Sequence, residues 1–191
     1  GKTFTCINLA LSLARERDTS VMLVDADIPK PHISTLFDAQ DEPGFLDYLD
    51  GSTTNINEIE LPTNVDGLTI LPTGRSRADS TELLSGRRMR EFVEQVHRSD
   101  PHKIVLIDSS PLLQTTESRA LASACGQIVV VVHAGITPKG AVLDAVATLD
   151  SDKAINLILN QVRFGRSSNY YSSYYGGAYG QTQGESDVHE T

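Results

Sequence analysis

Near the start of the chain Phe4, Ile7, Leu11 and Ala14 return at intervals of three and four, which predicts a helix over residues 3–17. Asp18, Thr19 and Ser20 end that pattern. Val21, Met22, Leu23 and Val24 then make an unbroken apolar run closed by Asp25, the form of a strand covered on both faces. Similar runs predict strands over residues 68–71, stopped by Pro72-Thr73-Gly74, over residues 103–108, ending in Asp108, and over residues 127–132 and 154–159. Helical stretches fall between them. Asp79 or Ser80 can cap one that runs through Leu84, with Glu82 placed for a capping box. Met89, Phe92, Val93 and Val96 continue a helical face toward His97, and residues 137–149 predict another helix. Continuous apolar strands alternating with helices define an α/β fold, a mostly parallel sheet with helices on both faces.

The pattern stops after Phe164, where residues 165–191 are rich in Gly, Ser, Tyr and Gln and nearly free of aliphatic side chains. Such a segment cannot bury enough apolar area to offset its ordering entropy. The expected organisation is a folded body over residues 1–164 and a flexible tail over residues 165–191. A length of 191 residues suits one domain. The net charge of −9 argues against nucleic acid as a partner, since that role needs a basic face. No apolar run approaches the roughly 18 residues needed to cross a bilayer. Cys6 and Cys125 lie far apart in no metal spacing, so a reducing compartment is expected and both read as small core residues. His32, His97, His102, His133 and His189 also form no ligand spacing. The chain opens on Gly1-Lys2-Thr3 with no leader, and is expected to be a fragment that starts inside a functional loop.

Those three residues introduce the first candidate chemistry. Gly-Lys-Thr at a helix start is the back half of a phosphate-binding loop, whose full form is G-x-x-x-x-G-K-[ST]. Backbone N–H groups and the positive helix end hold phosphate oxygens, Lys2 reaches the β- and γ-phosphates, and the Thr3 hydroxyl ligates Mg²⁺. Three residues also occur together by chance, so the surroundings matter. Asp108 ends an apolar strand as a magnesium-side carboxylate should, although strand-end aspartates also serve as caps. Ligands in open α/β sheets bind beyond the carboxyl ends of the strands, where Asp25 and Asp108 both lie. Asp25 and Asp27 stand two apart at a strand end, able to hold metal or water or to accept a proton; a solvated turn stiffened by Pro29 and Pro31 is the alternative.

Gly1-Lys2-Thr3, Asn8-Leu9-Ala10, Val24-Asp25-Ala26-Asp27 with Lys30-Pro31, and Leu106-Ile107-Asp108-Ser109-Ser110-Pro111-Leu112 together resemble the bacterial tyrosine kinases. These are P-loop ATPases of the MinD/ParA-like group that autophosphorylate a tyrosine cluster and control exopolysaccharide export. Leu71-Pro72-Thr73-Gly74 and Thr81-Glu82-Leu83-Leu84 fit the same pattern. Residues 81–85, Pro111-Leu112-Leu113, the run 129–132 and the Gly/Tyr tail are most similar to the tyrosine autokinases of exosortase-type systems. The sequence departs from that pattern in lacking the strand and first glycine of the phosphate loop and the upstream arginine-bearing oligomerisation helix. The polypeptide as it stands is therefore expected to be a poor ATPase. Arg87, Arg88 and Arg90 form a basic cluster that a solvated helix face explains equally well.

The resemblance implies ATP and Mg²⁺, with Gly1, Lys2, Thr3 and Asn160 at the nucleotide and Thr3, Asp25 and Asp108 at the metal. Asn160 would contact the base, with a simple strand-end cap as the alternative. Lys2 and Asp108 then act in phosphoryl transfer, Asp25 as base for the tyrosine hydroxyl and Asp27 in support. Five of the six tyrosines, Tyr170, Tyr171, Tyr174, Tyr175 and Tyr179, sit in the tail, where flexibility lets a hydroxyl reach a rigid site. They are the expected autophosphorylation sites, against a low-complexity tail without chemistry. The implied partners are other copies of the chain, phosphorylating in trans, and a membrane-spanning polysaccharide co-polymerase that activates the kinase. That partner would hold the kinase at the inner face of the membrane. The competing functions are a MinD/ParA-like positioning ATPase and a non-catalytic subunit that only binds nucleotide.

Overall fold

Ser20–Ala26 form β1, the middle strand of the larger sheet, and all of it after Ser20 is buried. The computed structural model describes residues 1–77, 79–150 and 152–163. Within them Gly1–Gln161 make one compact unit. Helix α1 (Lys2–Leu13) precedes β1. It stops short of residue 17 because Arg15, Glu16 and Arg17 offer no apolar face, and Asp18 turns the chain with φ 58°, a conformation that Asp tolerates.

β1 pairs in parallel with β3 (Leu68–Leu71) on one side and β4 (Lys103–Ser109) on the other. A two-residue strand β2 (Leu61–Pro62) adds antiparallel to β3. A second, two-stranded parallel sheet holds β5 (Gln127–His133) and β6 (Ala154–Asn160). The expected α/β architecture with a mainly parallel sheet is therefore present. A cavity of about 450 Å³, lined by Ile107, Leu112, Leu121, Ile128 and Val130 among others, adjoins β4 and β5. Neither strand has a partner on its second edge among the described residues.

Alternation along β1 sends its side chains to two cores. Val21 and Leu23 join Ala10, Ile33, Ala39, Leu68 and Ile70 on the α1 face. Met22, Val24 and Ala26 join Phe45, Leu46, Leu49, Leu71, Phe92 and Val96 on the opposite face. Helices thus cover both faces. The second core draws on α3 (Phe45–Asp50), α4 (Ser80–Ser85), α5 (Arg87–Ser99) and α6 (Thr116–Ala124). Helix α7 (Lys139–Ala147) follows β5.

Three helices are not expected from the sequence: α3, α6 and α2 (His32–Leu36). Those of five and six residues are too short for a repeat, and five of the six residues of α3 are buried, which erases any polar face. The capping box expected at α4 is not closed. Asp79 makes no side-chain cap, and the Ser80 hydroxyl donates to the Arg77 carbonyl instead.

Helix α3 starts at Gly44, whose N–H donates to Asp47 Oδ2 at 2.9 Å. The Phe45 and Leu46 N–H groups donate to the Pro72 and Thr73 carbonyls at 2.8 and 3.0 Å. A Cβ on Gly44 would collide with that Pro72 carbonyl, which is why the position needs glycine. The loop after β3 is thereby pinned, by main-chain bonds, beside the end of β1.

Candidate functional site

The register that pairs Val24 with Ile107 also sets Asp25 directly opposite Asp108 at the carboxyl ends of β1 and β4. In this register both strands end their apolar runs at the same level. Asp25 is fully buried and Asp108 nearly so. Asp27, the first polar residue beyond β1, is also buried, and its Oδ1 accepts from the Ser110 hydroxyl at 2.9 Å.

Burial pushes the Asp108 carboxyl above its ordinary value, and the neighbouring Asp25 and Asp27 push the same way. The Thr3 hydroxyl and the Lys2 ammonium oppose them. Both residues belong to the first turn of α1, so the helix start lies beside Asp108, with Asp25 and Asp27 near enough to act on its charge. Among the described residues no three carboxylates are close enough to share one metal ion. Asp108 Oδ2 is buried and has no hydrogen-bond partner. The Asp25 carboxyl is also raised by burial, against the Ser34 N–H and hydroxyl and the Asp27 N–H. The Cys6 thiol, one turn further along α1, is pushed up to about 12 by burial and then by Asp108 and Asp25. Burial and the neighbouring carboxylates both disfavour its thiolate, the form in which a cysteine acts as a nucleophile.

Asn160 lies at the end of β6 beside Gly1, where a Cβ on Gly1 would collide with the Asn160 amide. Its Oδ1 accepts from the Gln161 N–H at 2.8 Å, as in a strand-end cap. The structure therefore brings Gly1 and Asn160 together, and gathers Lys2, Thr3, Asp25, Asp27 and Asp108. Tyr170, Tyr171, Tyr174, Tyr175 and Tyr179 lie outside the described residues.

Sequence reasoning missed Ser34, Thr73 and Ser110 as site residues. Ser34 donates from both its N–H and its hydroxyl to Asp25 Oδ2, at 2.7 and 2.8 Å. Thr73 and Ser110 at least stand inside recognisable strings, after β3 and after Asp108. Ser34 sits nine residues beyond Asp25 in a five-residue helix, and no spacing marks it.

An unpaired, buried carboxylate oxygen opposes folding. Asp108→Asn is expected to raise stability by about 1 kcal/mol, roughly 2–4 °C in Tm at this size. The sign follows from the raised native pKa: the folded state holds its proton more tightly than the unfolded one. The penalty is present at neutral pH and is relieved as pH falls through the native pKa toward the ordinary carboxyl value. Thermal melts at pH 7 and pH 4 check this, and a Tm gain of the variant that grows on acidification would contradict it.

Comparison with known proteins adds the family. Residues 1–158 match the model described as an AAA domain, so the class defined by fold and site is a nucleotide-binding α/β ATPase domain. The tyrosine-protein kinase CpsD of Streptococcus agalactiae is 30% identical over 178 residues, covering 89% of this chain and 76% of that protein. The tyrosine-protein kinase ptk of Acinetobacter johnsonii is 31% identical over 126 residues, 66% of this chain but 17% of that longer protein. The crystal structure of the VpsO kinase domain superposes with a TM-score of 0.76 at 28% identity, covering 85% of this chain and 79% of that domain. This chain belongs to the bacterial tyrosine-protein kinase family.

No described helix is long and apolar enough to cross a membrane.

Proposed function

We propose that the chain is the catalytic domain of an ATP-dependent tyrosine autokinase that phosphorylates its own tyrosine cluster. The observation that carries this reading is the buried Asp108 carboxylate, one oxygen of which has no partner, lying beside Lys2 and Thr3 with Asp25 opposite it in the sheet. That donor set fits Mg²⁺, with Thr3 and Asp108 as the residues that would hold it and Asp25 beside them. When bound, the ion supplies positive charge against the phosphoryl oxygens.

Lys2 stands at the start of α1, where its ammonium and the helix N-terminus attract phosphate oxygens together. Asp25 accepts the proton of the tyrosine hydroxyl, and its burial moves it toward the basicity that role requires. Asp27 is held by Ser110 and keeps the neighbouring backbone in place. A tyrosine has a pKa near 10, so positioning and charge stabilisation matter more than prior deprotonation. Asn160 would meet the base beyond Gly1.

In this reading the acceptors are Tyr170, Tyr171, Tyr174, Tyr175 and Tyr179 of a neighbouring copy, phosphorylated in trans within a homo-oligomer. Each phosphate adds about −1.5 to −2 charges, so five add roughly −8 to −10 to a chain already at −9. That repulsion loosens the assembly. A membrane-spanning polysaccharide co-polymerase would recruit and activate the kinase at the inner membrane face, and the output is control of exopolysaccharide export.

The test is to incubate the full-length protein with Mg²⁺ and ATP and map phosphate by peptide mass spectrometry. Phosphate on the residues between Tyr170 and Tyr179 is the expected result. ATP hydrolysis with those tyrosines unmodified, even with the membrane partner added, would replace the kinase by a MinD/ParA-like partner-switching ATPase. Nucleotide affinity without turnover would leave a binding subunit.

A further inference from the structure

The two oxygens of Asp25 are not equivalent. Oδ2 accepts the Ser34 N–H at 2.7 Å and the Ser34 hydroxyl at 2.8 Å, which fills both of its lone-pair directions. Among the described residues the Asp27 N–H is the one donor within hydrogen-bond range of Oδ1, at 3.3 Å, and the Thr73 hydroxyl is the other polar group near the carboxyl. The direction of the Ser34 hydroxyl is itself fixed. The Thr73 N–H donates to Ser34 Oγ at 3.0 Å, and Thr73 Oγ1 lies 3.3 Å from the same atom. With the Ser34 proton given to Asp25, the Thr73 hydroxyl must be the donor of that second contact. Ser34 Oγ thus accepts two bonds and donates one, which completes its capacity.

The far side of Thr73 is pinned as well. Its carbonyl accepts from the Leu46 N–H, and the Pro72 carbonyl accepts from the Phe45 N–H. Asp47 Oδ2 accepts from the Gly44 and Arg75 N–H groups at 2.9 and 3.2 Å. Ser34, Thr73 and Asp47 are all buried, so water does not compete for these bonds. The start of α3 therefore fixes the loop after β3, that loop fixes Ser34, and Ser34 fixes the rotation of the Asp25 carboxylate.

We infer that Ser34, locked by the Thr73 backbone, is a positioning residue that makes Oδ1 the working oxygen of Asp25 in phosphoryl transfer. The inference rests on the kinase reading and deepens it. In the step itself the tyrosine O–H bond breaks and its proton passes to Asp25 Oδ1. The phenolic oxygen forms its bond to the γ-phosphorus as the bridging oxygen–phosphorus bond breaks, and ADP leaves with that bond pair. Ser34 touches none of the reacting atoms. Without the Ser34 hydroxyl the carboxylate keeps only the residue-34 N–H on Oδ2 and spends less of its time in the productive rotation. The loss of one hydrogen bond to a charged group corresponds to about a tenfold change in rate.

The experiment is a double-mutant cycle on autophosphorylation of the full-length protein. Ser34→Ala is expected to lower kcat about tenfold with KM for ATP within about twofold of the parent. In an Asp25→Asn background the same substitution is expected to cost nothing further, because there is no base left to orient. Ser34→Thr, which keeps the hydroxyl, is expected to recover most of the rate. Equal losses from Ser34→Ala in both backgrounds, a loss confined to KM, or equal losses from the alanine and threonine variants at unchanged Tm would overturn the inference. Asp25→Asn at the full parental rate would remove the base assignment itself, a different failure that the cycle separates from the first.

Discussion

Lys2→Met is expected to lower autophosphorylation by about 10²–10³-fold, since in the proposed kinase it removes the cation that would meet charge building up during transfer. Lys2 is the first residue of α1, partly exposed, and close enough to Asp108 to lower its carboxyl pKa. Methionine keeps the unbranched stem and ranks with lysine as a helix former, so the fold has no reason to change. The loss should therefore come with a Tm within about 1 °C of the parent. Lys2→Arg keeps the charge but replaces a compact ammonium by a planar fork, and should restore only part of the rate. Phosphotyrosine quantified by mass spectrometry, with melts run in parallel, reads both. A methionine variant within threefold of the parent would mean that Lys2 does not touch the transferred group, and the site would need another cation.

Phe92→Ala carries the largest expected cost in stability, about 3–5 kcal/mol, or roughly 6–20 °C in Tm. Phe92 is fully buried on the inner face of α5, between Met89 and Val96. Its ring meets Phe45 edge-on at 5.1 Å and Tyr48 at 5.6 Å. Truncation removes the centre of an aromatic trio and leaves a cavity that two rigid rings cannot close. Phe45 and Tyr48 both belong to α3, whose first turn holds the loop carrying Thr73, so the damage should extend from the core toward the site. Phe92→Leu, which retains most of the volume, should cost under about 1.5 kcal/mol. Denaturant unfolding of the three proteins with unchanged m-values measures the series. A loss below 1 kcal/mol for alanine would show that α3 and α5 are not held together by this contact.

Much of the fold is legible in the chain because parallel strands buried on both faces read as unbroken apolar runs. β1 and β3 stand out for that reason. β4, β5 and β6 are equally unbroken apolar runs in the sequence but are only partly buried among the described residues, and the carboxylates that close β1 and β4 stand out as well. Helices α1, α5 and α7 are long enough to show a repeat. Helix α3 is not, and its burial on nearly all sides removes the contrast on which periodicity depends. The candidate site divides along the same line. Lys2, Thr3, Asp25, Asp27 and Asp108 are visible because a helix start and strand ends constrain residue type locally. That Asp25 faces Asp108 depends on strand register, which a sequence leaves open. The bonds from Ser34 to Asp25 and from Thr73 to Ser34 join segments 9 and 39 residues apart. The sequence by itself determined the class of fold, the candidate phosphate-binding helix start and the carboxylates that close β1 and β4, because each follows from neighbours within one turn or one strand. Only the tertiary structure decided which oxygen of Asp25 is left with spare accepting capacity and which oxygen of Asp108 has no partner. Those are properties of distant segments brought together, and no local pattern encodes them.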